Sequence, residues 1–244
     1  MTVRRRLSSR ALRAGHRRTG AGQFIGIIGE ALVTAAALLA LVLVYGIWWT
    51  NVEADRQARS TASAIRKQWS SPPSTPSRAP APGIGFLHIP ALGEDAREIA
   101  IVQGTDPERL DEGVAGYYTH PLRSAMPWDR EGNFSLAAHR DGHGAKFHNL
   151  DKVDIGDALV VETRDQWYIY TVFSTLPHTS ADNIGVIEAV PRGSGRHTRG
   201  RYITLTTCTP VLTSDYRLIV WGELKRVQAM DVHRTAPAEL DAVS

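Results

Sequence analysis

The chain has 244 residues, 43% of them hydrophobic, and a formal net charge of +3. The positive charge is uneven: residues 1–23 hold seven Arg and no acid, whereas residues 84–228 hold 15 basic and 19 acidic side chains, a net charge of −4. The main part of the chain is therefore acidic. We expect no nucleic-acid partner, since polyanion binding needs a basic folded surface.

The first element in chain order is an apolar stretch. Residues Ala31–Trp49 carry no charge and span about 28 Å as a helix, close to the hydrocarbon thickness of a bilayer. With the apolar residues that precede them, they predict a single transmembrane signal-anchor over 25–49. No small-residue cleavage pattern follows, which argues against a cleaved signal peptide. The Arg-rich arm, 1–24, is expected in the cytoplasm and the C-terminal side outside the cell.

Composition then divides the rest of the chain. Residues 50–83 begin with a charged segment that could continue the helix as a stalk and end in a linker rich in Pro, Ser and Ala. Such a linker acts as a semi-rigid spacer. A folded domain is predicted over 84–228, and the polar tail, 229–244, is predicted to be disordered.

Within the domain, alternating apolar runs predict strands. They lie at 84–92, 98–104, 133–139, 157–163, 167–177, 201–208 and 216–227, with turn residues between them. Short helical pieces are predicted at 106–114, with Asp106 as N-cap, and at 145–153. Strands at this spacing indicate an all-β domain that forms a closed or nearly closed β-barrel.

The chain contains one cysteine, Cys208, at the end of the run YITLTTCTP. A single Cys has no internal disulfide partner, so three interpretations are open: a buried inert thiol, an intermolecular bridge, or a reactive nucleophile. Its position at a strand end, before Thr209 and Pro210, is one where a side chain can face a cleft. A nucleophilic thiol also needs a basic or electropositive neighbour, because it is mostly protonated at neutral pH.

Two residues could supply that neighbour. His139 ends the run NFSLAAH, and Arg217 lies on the strand after Cys208, where a hairpin would bring it back beside the cysteine. Taken singly, His139 could be a barrel-rim histidine and Arg217 an edge charge paired with Asp215. No set of His, Cys, Asp and Glu has metal-ligand spacing, so we expect neither a metal ion nor a cofactor.

At this point the sequence resembles the sortases, the cysteine transpeptidases of the Gram-positive cell surface. The resemblance covers about residues 84–227 and is most specific in TLTTCTP (204–210), in the Arg217 strand and in EGNFSLAAHR (131–140). Ala138 stands where the family more often has Gly. The TLTTCTP form is most similar to class E.

The resemblance implies an eight-stranded sortase barrel with short helices. It implies Cys208 as nucleophile, His139 as general acid/base and Arg217 as the group that stabilises the oxyanion or holds the substrate. The three threonines around Cys208 are candidate substrate-binding residues: Thr206, Thr207 and Thr209. The implied reaction cleaves a C-terminal sorting signal, LAxTG or LPxTG-like, between Thr and Gly. It then transfers the surface protein to a lipid II or peptidoglycan stem-peptide amine.

Alternatives stay open at this stage. A pilus-polymerising sortase would share every motif named, although residues 114–130 contain no obvious active-site lid. A non-catalytic, membrane-tethered β-domain would instead bury an unreactive Cys208. A thiol transpeptidase of the kind that places His-Gly before its cysteine is disfavoured, because Thr206 and Thr207 occupy those positions.

Overall fold

The computed structural model describes residues 20–70 and 82–241. Two helices lie in this part of the chain, α1 (Gly20–Ser70) and the single turn α2 (Pro107–Leu110). The strands are β1 Gly85–His88, β2 Ile99–Gln103, β3 Ala115–Tyr117, β4 Gly132–Ala137, β5 Ala158–Glu162, β6 Gln166–Ser180, β7 Arg201–Thr209 and β8 Tyr216–Ala229. The basic arm before Gly20 and most of the Pro/Ser/Ala linker lie outside the described residues.

The strands close into a barrel in the order β1-β2-β3-β4-β7-β8-β6-β5, with β5 paired back to β1. The pairs β2–β3 and β4–β7 are parallel, and the others are antiparallel. The expected eight-stranded barrel is confirmed. The strand that the sequence pattern missed is β3, because Ala-Gly-Tyr is too short to alternate and carries no β-branched residue.

Inward-facing apolar side chains fill the barrel. The buried set includes Leu87, Ile101, Phe134, Leu205 and Val220, which lie on five different strands. Because side chains alternate along a strand, the neighbours of Leu205 point outward, and Thr204 and Thr206 lie on the outer face of β7. This packing fixes the register of β7 against its neighbours β4 and β8, and so fixes which residues stand opposite each other at its end.

The long helix α1 is shared between two compact units, whose boundary lies between Gly46 and Ile47. In the first unit its apolar side chains from Phe24 onward are exposed. This helix is long and apolar enough to cross a membrane, judged by length and composition. That property agrees with the predicted anchor.

From Ile47 onward, α1 belongs to the same compact unit as the barrel. Ala54 and Ile65, about three helical turns apart, are both buried, and the Trp69 ring meets the Phe86 ring edge-on at 5.4 Å. The charged segment thus continues the helix to Ser70, as expected for the stalk, and in addition it packs on the barrel. The apolar residues that dock this segment lie on one helix face, hidden within a mostly charged sequence.

The tail also differs from its prediction. Residues 230–241 are not disordered: Leu240 packs with Val160, Trp167 and Ile169, and Arg226 donates a hydrogen bond to Glu239 at 2.6 Å. One buried leucine and one ion pair anchor this segment. Neither creates a periodic sequence pattern, so composition alone gave the wrong expectation for it.

Candidate active site

The β7–β8 hairpin brings the only cysteine beside an arginine. Cys208 and Arg217 are direct cross-strand partners at the end of the ladder. The thiol is free and its residue only partly buried. Side chains directly opposite each other on neighbouring strands lie in contact range. The hairpin expected from the sequence is present, and its loop returns Arg217 to the cysteine.

Arg217 is fixed through one of its nitrogens. Nη1 donates to the backbone oxygens of Ser214 and Tyr216, both at 2.9 Å. Within residues 82–241, its Nε and Nη2 have no hydrogen-bond acceptor. The guanidinium is therefore held at one end while its remaining donors stay available to a ligand.

His139 reaches the same end of the barrel through β4. This strand runs parallel to β7, with Ala137 opposite Thr206. The pairing continues one residue further, since Ala138 N donates to Thr206 O at 3.3 Å and Thr207 Oγ1 donates to Ala138 O at 2.8 Å. Because both chains advance together, the backbone of His139 lies level with that of Cys208.

The imidazole has a carboxylate partner that sequence reasoning missed. His139 Nε2 lies 2.7 Å from Asp111 Oδ1, on the turn that follows α2. The His143 ring stands 5.4 Å from that of His139, and its Nδ1 lies 3.6 Å from the same oxygen. His143 thus belongs, with His139, to a small cluster around Asp111.

Tyr118 is a second residue that the sequence did not reveal. Its hydroxyl forms a 2.8 Å hydrogen bond with Thr206 Oγ1. Burial raises the pKa of Tyr118, while the Thr206 bond and Arg217 act in the opposite direction. Cys208 acts electrostatically to raise the same pKa, and Arg217, its cross-strand partner, lines one pocket with Tyr118. Residues 179–187 complete a pocket with Tyr118, Thr206 and Arg217.

The three threonines have different surroundings. Thr206 lines the pocket. The Thr207 hydroxyl instead donates a hydrogen bond to the backbone oxygen of Ala138, and Thr209 Oγ1 accepts a 2.7 Å hydrogen bond from Arg140 Nη1. Both Thr207 and Thr209 are buried. Their side chains hold the strand ends together, and their expected role in substrate binding stays a prediction.

The loops on either side of the site are tied to each other and to α1. Asp141 Oδ2 accepts a 2.6 Å hydrogen bond from Leu212 N, in the β7–β8 loop. Asn51 Oδ1 accepts one from Gly144 N at 3.0 Å, and Lys146 Nζ lies 3.1 Å from Asp55. The loop after His139 is therefore braced from the cysteine side and from the helix side.

A second histidine–carboxylate cluster lies between β1 and β5. The buried Glu162 accepts hydrogen bonds from Arg66 on α1, from His88 at 3.1 Å and from Arg234 at 2.7 Å. Burial opposes its charge, but these three donors lower the pKa of Glu162 from 4.5 to about 2. His88 is thus held by this carboxylate, and all three donors converge on Glu162.

Among the described residues, no group of three or more His, Cys, Asp or Glu side chains could hold a metal ion. What remains is a partly exposed thiol, a carboxylate-bound imidazole and an arginine with free donors. A thiol, a base and a cation at one strand edge are the groups that cysteine-dependent acyl transfer uses. Fold and site together define that class of protein.

Comparison with known proteins leads to the same class. The sortase domain model matches residues 87–225. The chain is 49% identical over 236 residues to sortase SrtE2 of Streptomyces coelicolor, covering 93% of this chain and 92% of the relative. The crystal structure of sortase E1 of the same organism, with a tripeptide in its active site, is 42% identical with a TM-score of 0.61, covering 65% of this chain and 96% of that one. Sortase E of Streptomyces avermitilis is 34% identical with a TM-score of 0.55, over 65% and 97% of the two chains.

The chain therefore belongs to the sortase family. Its relatives place it in class E, and it is a cysteine transpeptidase.

Proposed function

We propose that Cys208 is the nucleophile, His139 the general acid/base and Arg217 the oxyanion-stabilising or substrate-holding group of this transpeptidase. The observation that carries the proposal is the strand register. It pairs Cys208 with Arg217 and brings the end of β4, with His139, level with the end of β7. No other cysteine exists in the chain to serve as the nucleophile.

The chemistry follows from these groups in two stages. The Cys208 thiolate attacks the Thr carbonyl carbon of the Thr–Gly bond, and Arg217 donates to the oxygen as negative charge develops there. The C–N bond then breaks, and the imidazolium of His139 gives its proton to the departing glycine amine. In the second stage an acceptor amine attacks the thioester, His139 takes the proton from that amine, and Cys208 leaves as thiolate.

The proposed substrate is a C-terminal sorting signal of LAxTG or LPxTG type. The pocket formed by Tyr118, Thr206, Arg217 and residues 179–187 includes the cross-strand partner of Cys208, which is Arg217. A peptide bound there would present the carbonyl of its threonine to Cys208. The tripeptide in the active site of the sortase E1 structure is consistent with a peptide-binding groove in this class.

The proposed acceptor is the amine of lipid II or of a peptidoglycan stem peptide, and the protein substrates are surface proteins with a sorting signal. The proposed location is the cell membrane, with the Arg-rich N-terminus in the cytoplasm and the barrel outside. Because Cys208 is unique, its labelling by a membrane-impermeant maleimide on intact cells tests this orientation. Labelling only after lysis would contradict it.

The reaction is tested with full-length protein in detergent and fluorescent LAxTG, LPxTG and scrambled peptides. Each peptide is offered with glycine amides or stem-peptide amines, and products are identified by mass spectrometry. We expect cleavage between Thr and Gly and a new amide to the acceptor, absent in Cys208→Ala. Cleavage at another bond, or equal turnover by Cys208→Ala, would refute the proposal. Joining of sorting-signal proteins to one another would favour the pilus-polymerising alternative.

A further inference from the structure

The contact between Asp111 and His139 has a geometry that supports a role in catalysis. Asp111 Oδ1 lies 2.7 Å from His139 Nε2, within the range of a charge-assisted hydrogen bond. The His139 and Asp111 side chains are 25% and 39% exposed, so the pair lies at the open rim of the barrel and not in its core. A purely structural ion pair at such exposure contributes little to stability.

We propose that Asp111 is the positioning residue of His139. It holds Nε2–H by a hydrogen bond and so leaves Nδ1 as the nitrogen that exchanges protons with the thiol and the amines. This inference rests on the proposed role of His139 as general acid/base. It extends the Cys-His-Arg set to a fourth residue, which acts through the imidazole without touching the substrate.

The assignment of the ring nitrogens follows from hydrogen-bond chemistry. An ionised carboxylate can only accept, so the ring nitrogen that faces Asp111 must carry a proton. In the neutral ring the other nitrogen, Nδ1, is then the acceptor. A ring held in one tautomer presents its acceptor in every turnover, whereas an unrestrained ring exchanges between two tautomers and rotates.

The backbone around Asp111 is built to hold this position. Its own N–H donates to Pro107 O at 2.8 Å, which closes the turn of α2. Gly113, two residues on, has φ +71°, a conformation that side chains rarely adopt, and packs on Ala54 of α1. His143 Nδ1 lies 3.6 Å from the same carboxylate oxygen, beyond hydrogen-bond distance, so the 2.7 Å contact with His139 is the closer of the two.

A matched control is available on the same turn. Glu112 is the next residue, and its carboxylate pairs with Arg109 at 2.8 Å. Within the described part of the chain it makes no hydrogen bond to His139. Asp111→Ala and Glu112→Ala therefore remove one carboxylate each from the same turn, but only the first removes the partner of the imidazole.

The test uses full-length protein with 15N-labelled histidine. Imidazole nitrogen shifts are recorded at alkaline pH, where the ring is neutral, and are assigned with His139→Gln. Steady-state kinetics with the sorting peptide give kcat and KM separately. We expect wild-type His139 to be protonated at Nε2. Asp111→Ala should lose this tautomer preference and lower kcat roughly 10- to 100-fold with little change in KM, while Glu112→Ala keeps both.

Two results would overturn the proposal: a wild-type His139 protonated at Nδ1, or an Asp111→Ala enzyme whose kcat equals that of Glu112→Ala. The first does not depend on the Asp111 variant, so it tests the proposal even if Asp111→Ala folds poorly. Failure of the proposed function is distinguishable, since it would appear as a wild-type enzyme that forms no acyl adduct on Cys208.

Discussion

Two histidine–carboxylate pairs of the barrel, His88–Glu162 and His139–Asp111, have surroundings that give them different roles. His88 and Glu162 lie 3.1 Å apart with side chains 6% and 2% exposed, and two arginines complete the cluster. His139 and Asp111 lie 2.7 Å apart and are partly exposed. His139 follows β4, whose register continues to the end of β7, where the free Cys208 pairs with Arg217. The same residue types thus form a closed, hydrogen-bonded cluster in one place, which we call the clasp (His88, Glu162, Arg66 and Arg234). In the other place they form a partly exposed site with free donors, which we call the rim (His139, Asp111, Cys208 and Arg217).

The difference lies in unfilled hydrogen-bonding capacity. Glu162 already accepts from three partners, so a ligand has nothing to gain there. Removal of this buried carboxylate would take away the shared acceptor of Arg66, Arg234 and His88, and among the described residues only Arg66 would keep another carboxylate, Glu98. At the rim, Cys208 and the outer donors of Arg217 have no such partners among residues 82–241. We therefore expect changes at the rim to affect rate, and changes at the clasp to affect stability.

The largest expected effect is at Cys208. Cys208→Ala should lower turnover of the sorting peptide by at least about 10⁴-fold, because no other group in the chain can form the thioester. The melting temperature should stay close to that of the wild type, since the residue is only partly buried and free. Peptide cleavage measured on the sample checks the loss of turnover, and thermal unfolding of the same sample checks the unchanged melting temperature.

At the clasp, Glu162→Ala should reduce the free energy of unfolding by about 3–5 kcal/mol, because Arg66, Arg234 and His88 lose their shared acceptor. Chemical denaturation measures it. Glu98→Ala is the matched control: Glu98 also contacts Arg66, at 2.5 Å, but is 58% exposed, and its loss should cost less than about 1 kcal/mol. Equal losses in the two variants would contradict the distinction drawn from burial.

Arg217→Ala should lower kcat about 100- to 1000-fold, the usual loss for one oxyanion donor. Lys225, on the exposed face of the same strand, provides the control, and Lys225→Ala should retain wild-type kinetics. If Arg217→Ala turned over at the wild-type rate, the rim would lack the cationic group on which the open-site interpretation depends.

The clasp should also respond to acid. The folded-state pKa of Glu162, about 2, lies below its ordinary value of 4.5, so the charged form stabilises the fold. This contribution, roughly 3 kcal/mol, is fully present above pH 4.5 and is lost as pH falls toward 2. Denaturation curves across this range measure it. The same series on Glu162→Gln should be flatter, and parallel curves for the two proteins would exclude Glu162 as the source.

The smallest expected effect is at the brace between α1 and the loop after His139. Asn51→Ala removes the acceptor of Gly144 N. The loss of one hydrogen bond that supports the loop should raise the activation free energy by at most about 1 kcal/mol, which corresponds to a several-fold lower kcat. Gln57→Ala, an exposed change on the same helix, should leave kcat unchanged. A kcat for Asn51→Ala equal to that of the control would show that the helix does not support the site.

Local patterns explain what the sequence could predict. Alternation revealed β7 and β8, and a single hairpin then placed Arg217 beside Cys208. Side-chain partners that are brought together only by the connections between distant strands could not be recognised from the sequence. Asp111 is 28 residues from His139, and Glu162 is 74 residues from His88, and neither pair shares a helix or a hairpin. Tyr118 follows β3, the strand too short to show a pattern.

The most direct test of the open-site interpretation is the mass of the intact protein after brief exposure to an excess of sorting peptide without an acceptor amine. Peptide mapping then locates any added mass. We expect an acyl adduct on Cys208, formed rapidly in Glu98→Ala and slowly in Arg217→Ala. A wild-type protein that cleaves the peptide with no adduct on Cys208, or with the adduct on another residue, would contradict it.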